Sequence, residues 1–215
     1  MNLQKLIDMQ RDLDNSIRDK KGLQGDDLVA NTYVALQVEL AEFANEARWF
    51  KHWSKDQEPR KFKEKSVKQL KDGLEDFDNY EGAYETVIIE SNPLLEEYVD
   101  GLHFFLSIAI QKEWEDALWI YEEQLDPEEF DGELSEWYLE MIYFLNKSYM
   151  ENPPKEQSDK WKKQTGFPEK QYYFRMAWIL FLNIGMNGFD FTEEQIEQAY
   201  IDKNKVNHER QENGY

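Results

Sequence analysis

The stretch that decides the fold runs from Val38 to Glu46 and reads Val-Glu-Leu-Ala-Glu-Phe-Ala-Asn-Glu. It predicts a helix, and at about 100° per residue the carboxylates of Glu39, Glu42 and Glu46 lie on one face. The side chains between them are mostly apolar, so this helix is expected to pack in a core. Because an isolated buried charge is unfavourable, acids at the border of an apolar face pair with cations or bind a metal.

A second acidic pair with the same spacing, Glu97 and Asp100, lies about 55 residues further along the chain. Its helix is predicted to start at Asn92-Pro93, since Asn is a good N-cap and Pro suits the first helical position. It continues to about Lys112 and is apolar nearly all round, so it should be central. Two such pairs on facing helices are how a helical bundle holds divalent metals. Oxygen ligands alone favour Mg²⁺ or Mn²⁺ over iron or zinc.

Acid pairs at this spacing are common in so acidic a chain. With 45 acids among 215 residues, about nine such pairs are expected by chance. Glu39 and Glu42 alone are therefore weak evidence for a metal site, and a solvated or ion-paired helix face is the commoner explanation of any one such pair. The two pairs stand out because each lies in an apolar helix, followed by aromatic or histidine side chains that could enclose a base: Trp49, Trp53 and His103. The alternatives are that Trp49 and Trp53 pack in the core or at an interface, and that His103 is a hydrogen-bonded histidine of the core.

Apolar residues recur with helical spacing along most of the chain. The predicted helices are 2–21, 27–53, 63–73, 92–112, 133–150, 169–186 and a last one that starts with a capping box at Thr192–Gln195. No convincing strand is found, although residues 85–90 could form a short extended piece. The predicted fold is an all-α helical bundle formed by residues 1–112 and 169–215, with 113–168 as an inserted variable helical segment, a subdomain or lid.

Composition narrows the class of protein. The chain is 40% hydrophobic and 15% aromatic, which argues against a disordered protein. Its net charge of −20 repels nucleic-acid backbones, so no direct nucleic-acid binding is expected. With no Cys and three His, thiolate sites are excluded and structural zinc is disfavoured. The N-terminus has no signal-peptide pattern and no apolar run is long enough to span a bilayer, so we expect a cytoplasmic protein without membrane contact.

The C-terminus carries a cationic face unusual in such an acidic chain. Lys203, Asn207 and Arg210 step by four and three residues, so they line one side of a helix. Arg binds phosphate through paired hydrogen bonds and Lys as a point charge, which makes this face complementary to phosphate. The alternative is that these three are ordinary exposed polar residues near a frayed helix end. Gln10, on the first helix, is either a site residue among apolar neighbours or an exposed residue at the helix edge.

Together these motifs resemble the dimeric all-α dUTPases of phage type, which belong to the MazG-like all-α NTP pyrophosphatase superfamily. The similarity rests on Glu39-x-x-Glu42, Glu97-x-x-Asp100-x-x-His103, and Lys203-Asn204-x-x-Asn207-x-x-Arg210-Gln211-x-x-Gly214-Tyr215. It extends to the run from Leu6 to Asp14 and to Trp49–Ser54, and covers about 1–112 and 169–215. The resemblance implies a helical bundle of the all-α NTP pyrophosphatase type.

The resemblance also implies roles for individual residues. Glu39, Glu42, Glu97 and Asp100 would bind two or three Mg²⁺ ions, with Mn²⁺ as a substitute. Glu46 has no such implied role, and we expect it to support the ligands or to form an ion pair. Glu39 or Glu42 would be catalytic, and Glu39 is preferred for orienting or deprotonating the attacking water. The residues implied to enclose uracil and deoxyribose are Gln10, Asp14, His103 and Trp49 or Trp53. Those implied to bind the phosphates are Lys203, Asn207 and Arg210, with Asn204, Gln211 and Tyr215 nearby.

Members of this family cut dUTP, and also dUDP, to dUMP, and they work as homodimers with a site built partly at the subunit interface. The resemblance therefore implies a homodimeric dUTP diphosphatase, in the host cytoplasm if it is phage-encoded. One alternative is a related pyrophosphatase for another nucleotide, such as dCTP or NTPs in general. Another is an interaction protein that binds a DNA-binding repressor through the acidic, aromatic segment 113–168.

Overall fold

The computed structural model describes residues 1–70 and 84–212 and confirms an all-α fold. Its elements in chain order are α1 (Leu3–Lys21), α2 (Val29–Ala47), β1 (Lys63–Leu70), β2 (Tyr84–Ser91), α3 (Pro93–Lys112), α4 (Leu134–Met150), α5 (Lys155–Thr165), α6 (Glu169–Asn183) and α7 (Glu193–Glu212). Three 3₁₀ turns connect α3 to α4, and a π-helical turn follows α6. The predicted site residue Tyr215 lies outside the described ranges. None of the described helices is long and apolar enough to cross a membrane.

The centre of the bundle is an antiparallel pair of helices, α2 and α3. At one end of the pair, Gln111 Nε2 donates to Thr32 Oγ1 at 2.9 Å. At the other end, the rings of Phe43 and Tyr98 pack with centroids 5.6 Å apart. α1 and α7 pack against α3 and against each other, and α6 packs against α4. The apolar faces of all these helices join in one hydrophobic core, as expected for a helical bundle.

The prediction that the second helix reaches residue 53 is wrong at its C-terminal end. α2 stops at Ala47, and Arg48 adopts a left-handed backbone conformation with φ 66°. Arg48 is buried; its guanidinium donates to the Asp56 carbonyl oxygen at 2.7 and 3.1 Å and lies 3.3 Å from the Asp56 carboxylate. The helix therefore ends before the aromatic segment 49–53. The contact between Arg48 and Asp56 is not visible in the local spacing of residues.

The helix predicted for residues 63–73 is wrong over its described part. β1 pairs antiparallel with β2, with Lys63 opposite Ser91 and Val67 opposite Val87. The short extended piece predicted at residues 85–90 is confirmed as part of β2. Strand pairing depends on a partner about twenty residues away, while the lysine-rich β1 segment has local propensities that suit a helix.

Other helical predictions are confirmed with small shifts of their ends. The helix predicted at 133–150 is α4, and the one at 169–186 is α6 continued by the π-helical turn Ile184–Gly188. The capping box is present, since Thr192 N donates to Gln195 Oε1 at 3.0 Å and Gln195 N donates to Thr192 Oγ1 at 3.2 Å. α5, a polar surface helix that buries none of its residues, was not predicted.

A close approach fixes the π-helical turn on the core. A Cβ atom added at Gly185 would lie 2.4 Å from the ring of Tyr98, which is fully buried. Only a residue without a side chain fits there, so Gly185 allows the end of α6 to pack directly on α3.

The segment 113–168 shares the core of the bundle. Leu118, Met141 and Leu145 are buried in the same cluster as the α3 side chains. Arg175 on α6 donates to the Ala117 carbonyl oxygen at 2.9 Å, and Trp178 donates to the Leu118 carbonyl oxygen at 2.9 Å. The division into a bundle and an inserted subdomain stays a prediction, and the packing joins the two parts closely.

Candidate active site

Three of the predicted metal ligands converge between α2 and α3. Glu39, Glu97 and Asp100 each offer a carboxylate oxygen, and these oxygens lie within 4.8 Å of one another. All three side chains are half-buried. We call them the acid triplet. The antiparallel pairing of α2 and α3 places the middle of one helix beside the first turns of the other, which explains why these residues meet.

Glu42, the fourth predicted ligand, is exposed and lies outside the acid triplet. Its charge nevertheless acts on the triplet, because it helps raise the pKa values of Glu39 and Glu97. It lies three residues after Glu39, one helical turn away on the same face of α2. Glu46, expected to form an ion pair, does so with Arg60 at 3.1 Å.

The acid triplet carries more negative charge than its surroundings offset. Burial, followed by repulsion from Asp100 and Glu42, raises the pKa of Glu39 from 4.5 to about 7. The pKa of Glu97 rises to about 7 for the same reasons. Crowded carboxylates with raised pKa values are stabilised when a cation is added among them. The all-oxygen donor set and the partial burial fit a hard divalent cation such as Mg²⁺ or Mn²⁺.

The cationic face of α7 lies beside this acidic group. Lys203 Nζ donates to Asp100 Oδ2 at 2.5 Å, and the charge of Arg210 also lowers the pKa of Asp100. Burial is the larger influence, so the pKa of Asp100 is raised overall. Asn207 is half-buried between Lys203 and Arg210 on the same helix. Two of the predicted phosphate-binding residues, Lys203 and Arg210, therefore act on Asp100 of the acid triplet.

Two neighbours of this face point into the bundle. Asn204 is buried and its Nδ2 donates to the Met9 carbonyl oxygen at 3.5 Å, so it attaches α7 to α1. The Oε1 atom of Gln211 is buried and has no hydrogen-bond partner among the residues that the structure describes. An unpartnered buried acceptor is unfavourable, which makes Gln211 a candidate to contact a ligand.

One turn beyond Asp100, a buried polar group is centred on Gln10. Gln10 Oε1 lies 2.7 Å from His103 Nδ1 and accepts from the Tyr200 hydroxyl at 2.8 Å, while Gln10 Nε2 donates to Asp14 Oδ1 at 2.7 Å. Ser107 donates to the other oxygen of Asp14 at 2.7 Å. We call these five residues the Gln10 network. The structure thus brings together Gln10, Asp14 and His103, which the sequence placed around the base.

The Gln10 network fixes the protonation of His103. Since the amide nitrogen of Gln10 is used on Asp14, its oxygen faces the imidazole, and Nδ1 must carry the proton. Burial, and then the charge of Lys203, lowers the pKa of His103 to about 3, so the ring is neutral. Its Nε2 atom is buried and has no partner among the described residues. The ring stacks on Tyr200 with centroids 4.0 Å apart, so a rigid, unused acceptor is present.

Tyr200 and Ser107 were missed by the sequence prediction. Ser107 follows His103 by four residues and therefore lies on the same helix face, which was a usable signal. Tyr200 precedes Asn204 by four residues, but its partner Gln10 is 190 residues away in sequence. No local pattern reports such a contact.

The predicted base-stacking tryptophans lie apart from the Gln10 network. Trp49 packs on Phe43 and Phe189, with centroids 6.3 and 6.0 Å away, and donates to Ser135 Oγ at 3.1 Å. Trp53 is 67% exposed and packs on Phe50. Both residues follow the C-terminal end of α2, whereas the Gln10 network lies towards its N-terminal end. Their role in binding the base stays a prediction.

Comparison with known families agrees with this arrangement. A family model described as dUTPase matches residues 2–75 and 86–215. The matched ranges contain the acid triplet, the Gln10 network and the cationic face of α7. No curated protein matches the chain. Because the family match covers nearly the whole sequence, the chain belongs to the dUTPase family, the enzymes that hydrolyse dUTP.

Proposed function

We propose that this dUTPase cleaves dUTP to dUMP and pyrophosphate by attack of water on the α-phosphate, with Mg²⁺ ions bound by Glu39, Glu97, Asp100 and Glu42. Enzymes of this family generally depend on divalent metals. The observation that carries the proposal is the convergence of the acid triplet within 4.8 Å, beside Lys203. Bound there, two or three Mg²⁺ ions would neutralise the triphosphate and lower the pKa of a coordinated water.

Glu39 is the residue we propose to orient and deprotonate the attacking water. It belongs to the acid triplet and is only half-buried, so water reaches it. A general base must lie within hydrogen-bond reach of the proton that it takes. Glu42, on the exposed side of the same helix, is proposed to complete the ligand set when cations are present.

Lys203, Asn207 and Arg210 are proposed to hold the phosphates and stabilise the pyrophosphate leaving group. Lys203 forms a hydrogen bond and an ion pair with Asp100. With cations held by the carboxylates, its ammonium would be free to bind a phosphate oxygen. Cations placed where negative charge develops lower the barrier to phosphoryl transfer.

The unused Nε2 atom of His103 is proposed to select uracil. N3 of uracil carries a proton and donates a hydrogen bond, whereas N3 of cytosine is an acceptor. Because the Gln10 network holds His103 neutral with its proton on Nδ1, Nε2 can only accept. dCTP would place two lone pairs against each other in a buried site, which is strongly disfavoured. His103→Gln is expected to reduce the preference for dUTP over dCTP.

We also propose that the enzyme is a homodimer. An open groove along α2 is lined by Val34, Val38, Ala41 and Glu42 among others, and Val34 and Val38 are 62% and 49% exposed. An exposed apolar strip of this kind favours a protein contact. Because Glu42 lies in the same groove, a second copy seated there would border the acid triplet. Val38→Asp should convert the dimer to a monomer in light scattering, and an unchanged mass would contradict this.

The experiment that tests the function is pyrophosphate release from dUTP with and without Mg²⁺, with dCTP and dTTP as controls. We expect turnover of dUTP only with Mg²⁺ or Mn²⁺, and release of phosphate from dUDP under the same conditions. Equal rates for dUTP and dCTP would contradict the proposed base selection. Full activity after removal of all divalent metal would contradict the metal site.

A second role, binding to a repressor through segment 113–168, is favoured by one observation. The segment exposes large side chains, with Trp119 at 52% and Tyr121 at 73%, which are residue types common in binding hot spots. Deleting the segment would remove core residues, so point substitution is the sharper test. Tyr121→Ser should leave dUTP hydrolysis unchanged and abolish repressor capture. Retention of capture by Tyr121→Ser and Trp119→Ser would contradict this role.

A further inference from the structure

A second charged cavity lies at the far end of the bundle from the acid triplet. It has a volume of about 170 Å³, is partly open to solvent, and lies where the start of α2, the end of α3, the end of α4 and the start of α6 meet. Its lining residues are Asp27, Val29, Ala30, Tyr33, Lys112, Ser148, Tyr149 and Lys170. Lys112 lies twelve residues after Asp100 on α3, about 18 Å along the helix axis. The cavity is therefore separate from the candidate active site.

Two lysines from different helices line this cavity without an acidic partner. Among the side chains that the structure describes, those of residues 1–64 and 91–212, no carboxylate forms an ion pair with Lys112 or Lys170 within 4.0 Å. Lys170 Nζ donates to the Tyr149 carbonyl oxygen at 2.7 Å, and Lys112 lies 5.2 Å from the ring of Trp114. The two ammonium groups are close enough for Lys112 to lower the pKa of Lys170, second only to burial.

The described acids near this cavity do not form ion pairs with Lys112 or Lys170. Asp27 lines the opening, and its Oδ1 accepts a hydrogen bond from Val29 N at 3.1 Å. Glu151 attracts Lys170 only at longer range, as the weakest influence on its pKa. Like charges facing each other across a cavity disfavour the empty state. In a chain with 45 acids, two lysines in this arrangement leave a site for a negative charge from outside.

We propose that the cavity binds a small tetrahedral oxyanion of the phosphate class between Lys112 and Lys170. Inorganic phosphate is mainly a dianion at pH 8, so it can pair with both ammonium groups, which outnumber the single lining carboxylate of Asp27. Lysine binds phosphate as a point charge from a flexible stem, which suits contact from two sides. The cavity has room for a five-atom ion. Because Lys112 ends α3 and Lys170 begins α6, the bound anion would tie the central helix to the C-terminal half of the bundle.

Thermal unfolding of the full chain tests this proposal. The melting temperature is measured at pH 8 without divalent metal, as phosphate replaces chloride at constant ionic strength. A ligand that binds only the folded state stabilises it. We expect a saturable rise on the order of 3 °C once phosphate reaches ten times its dissociation constant. This rise should vanish in Lys112→Gln and in Lys170→Gln.

Two control variants separate this site from other cations. Lys163→Gln removes an exposed lysine on α5, and Lys203→Gln removes the lysine of the candidate active site; both should keep the phosphate-dependent rise. In chloride alone, Lys112→Gln should melt no lower than the wild type, because it removes a repulsion. Absence of the rise in the wild type, its persistence in both cavity variants, or its loss in Lys203→Gln would overturn the proposal.

Discussion

The acid triplet and the Gln10 network share α3, where Asp100 and His103 lie on adjacent turns, but they differ in how they are prepared to bind a ligand. In the acid triplet, Glu39 and Glu97 have pKa values raised to about 7 by burial and mutual repulsion. In the Gln10 network, each polar side chain is hydrogen-bonded, and only His103 Nε2 is left without a partner among the described residues. The acid triplet would be stabilised by bound cations, whereas the Gln10 network is already arranged to accept one hydrogen bond at His103 Nε2.

The acid triplet is therefore expected to contribute to ligand binding, and the Gln10 network to the free energy of folding. Charged groups gathered without counter-ions weaken the free protein and gain when metal enters. A satisfied buried network stabilises the free protein and lets a ligand bind without reorganisation. Substitutions in the acid triplet should therefore lower activity without lowering the stability of the free protein. Substitutions in the Gln10 network should lower that stability.

The largest effect is expected from Glu42→Gln. Glu42 lies outside the acid triplet, yet we propose that it completes the ligand set. Loss of a metal carboxylate should lower Mg²⁺-dependent kcat on dUTP by about 10³-fold or more, or roughly 4 kcal/mol of barrier. Pyrophosphate release measures the rate, and circular dichroism should show an unchanged fold. Near-wild-type turnover would remove Glu42 from the metal site.

A large loss of stability is expected from Gln10→Ala. The change leaves Asp14, His103 and Tyr200 without their central partner, and unsatisfied buried groups cost about 1–3 kcal/mol. Urea denaturation should report a loss of about 2–3 kcal/mol that does not depend on Mg²⁺. Gln4→Ala, on the exposed side of the same helix, is the matched control. Equal stability of both variants would mean that the Gln10 network contributes nothing to the free protein.

The network should also give stability a pH dependence through His103. The folded pKa is about 3 against an ordinary 6.5, so the unfolded state binds the proton first as pH falls. The stability that His103 contributes is therefore full above pH 6.5 and is lost progressively between 6.5 and 3. From pH 7.5 to 5.5 the loss should be about 1.4 kcal/mol.

Urea unfolding of the wild type and of His103→Gln at both pH values isolates this effect. The carboxylates are the same in both proteins, so the difference between them reports His103 alone. His52→Gln, which removes an exposed histidine, should behave as the wild type does. An equal pH response in all three proteins would show that His103 titrates normally.

The smallest effect has the opposite sign to that of Gln10→Ala. Glu97→Gln removes one charge from the acid triplet, so the metal-free protein should gain about 0.5–1 kcal/mol. Mg²⁺ should then raise the melting temperature of the wild type and leave the variant unchanged. Calorimetric melting with and without EDTA provides the measurement. A less stable metal-free variant would show that the triplet is already balanced by Lys203 and Arg210.

The sequence could predict features that depend on local spacing. Glu97, Asp100 and His103 follow one another at three-residue steps on a strongly apolar helix, and this pattern identified the central helix and two of the three clustered acids. The pairing of Lys203 with Asp100 joins residues 103 positions apart, and that of Tyr200 with Gln10 joins residues 190 apart. Such contacts depend on how the helices pack, which no local pattern encodes.

The same reason explains the two errors in secondary structure. The segment after Ala47 has helical spacing, but the buried contact of Arg48 with Asp56 ends the helix. The lysine-rich segment 63–70 favours a helix locally, but pairing with residues 84–91 makes it a strand. In each case a tertiary interaction overrides a local preference.

The central claim is that the acid triplet binds the catalytic cation, and calorimetric titration with Mg²⁺ tests it most directly. The wild type, Glu97→Gln and the matched control Glu96→Gln, an exposed neighbour on the same helix, are titrated at pH 8 without nucleotide. We predict binding to the wild type and to Glu96→Gln, and at least tenfold weaker binding to Glu97→Gln, which corresponds to about 1.4 kcal/mol. Equal affinity of all three proteins would contradict the claim.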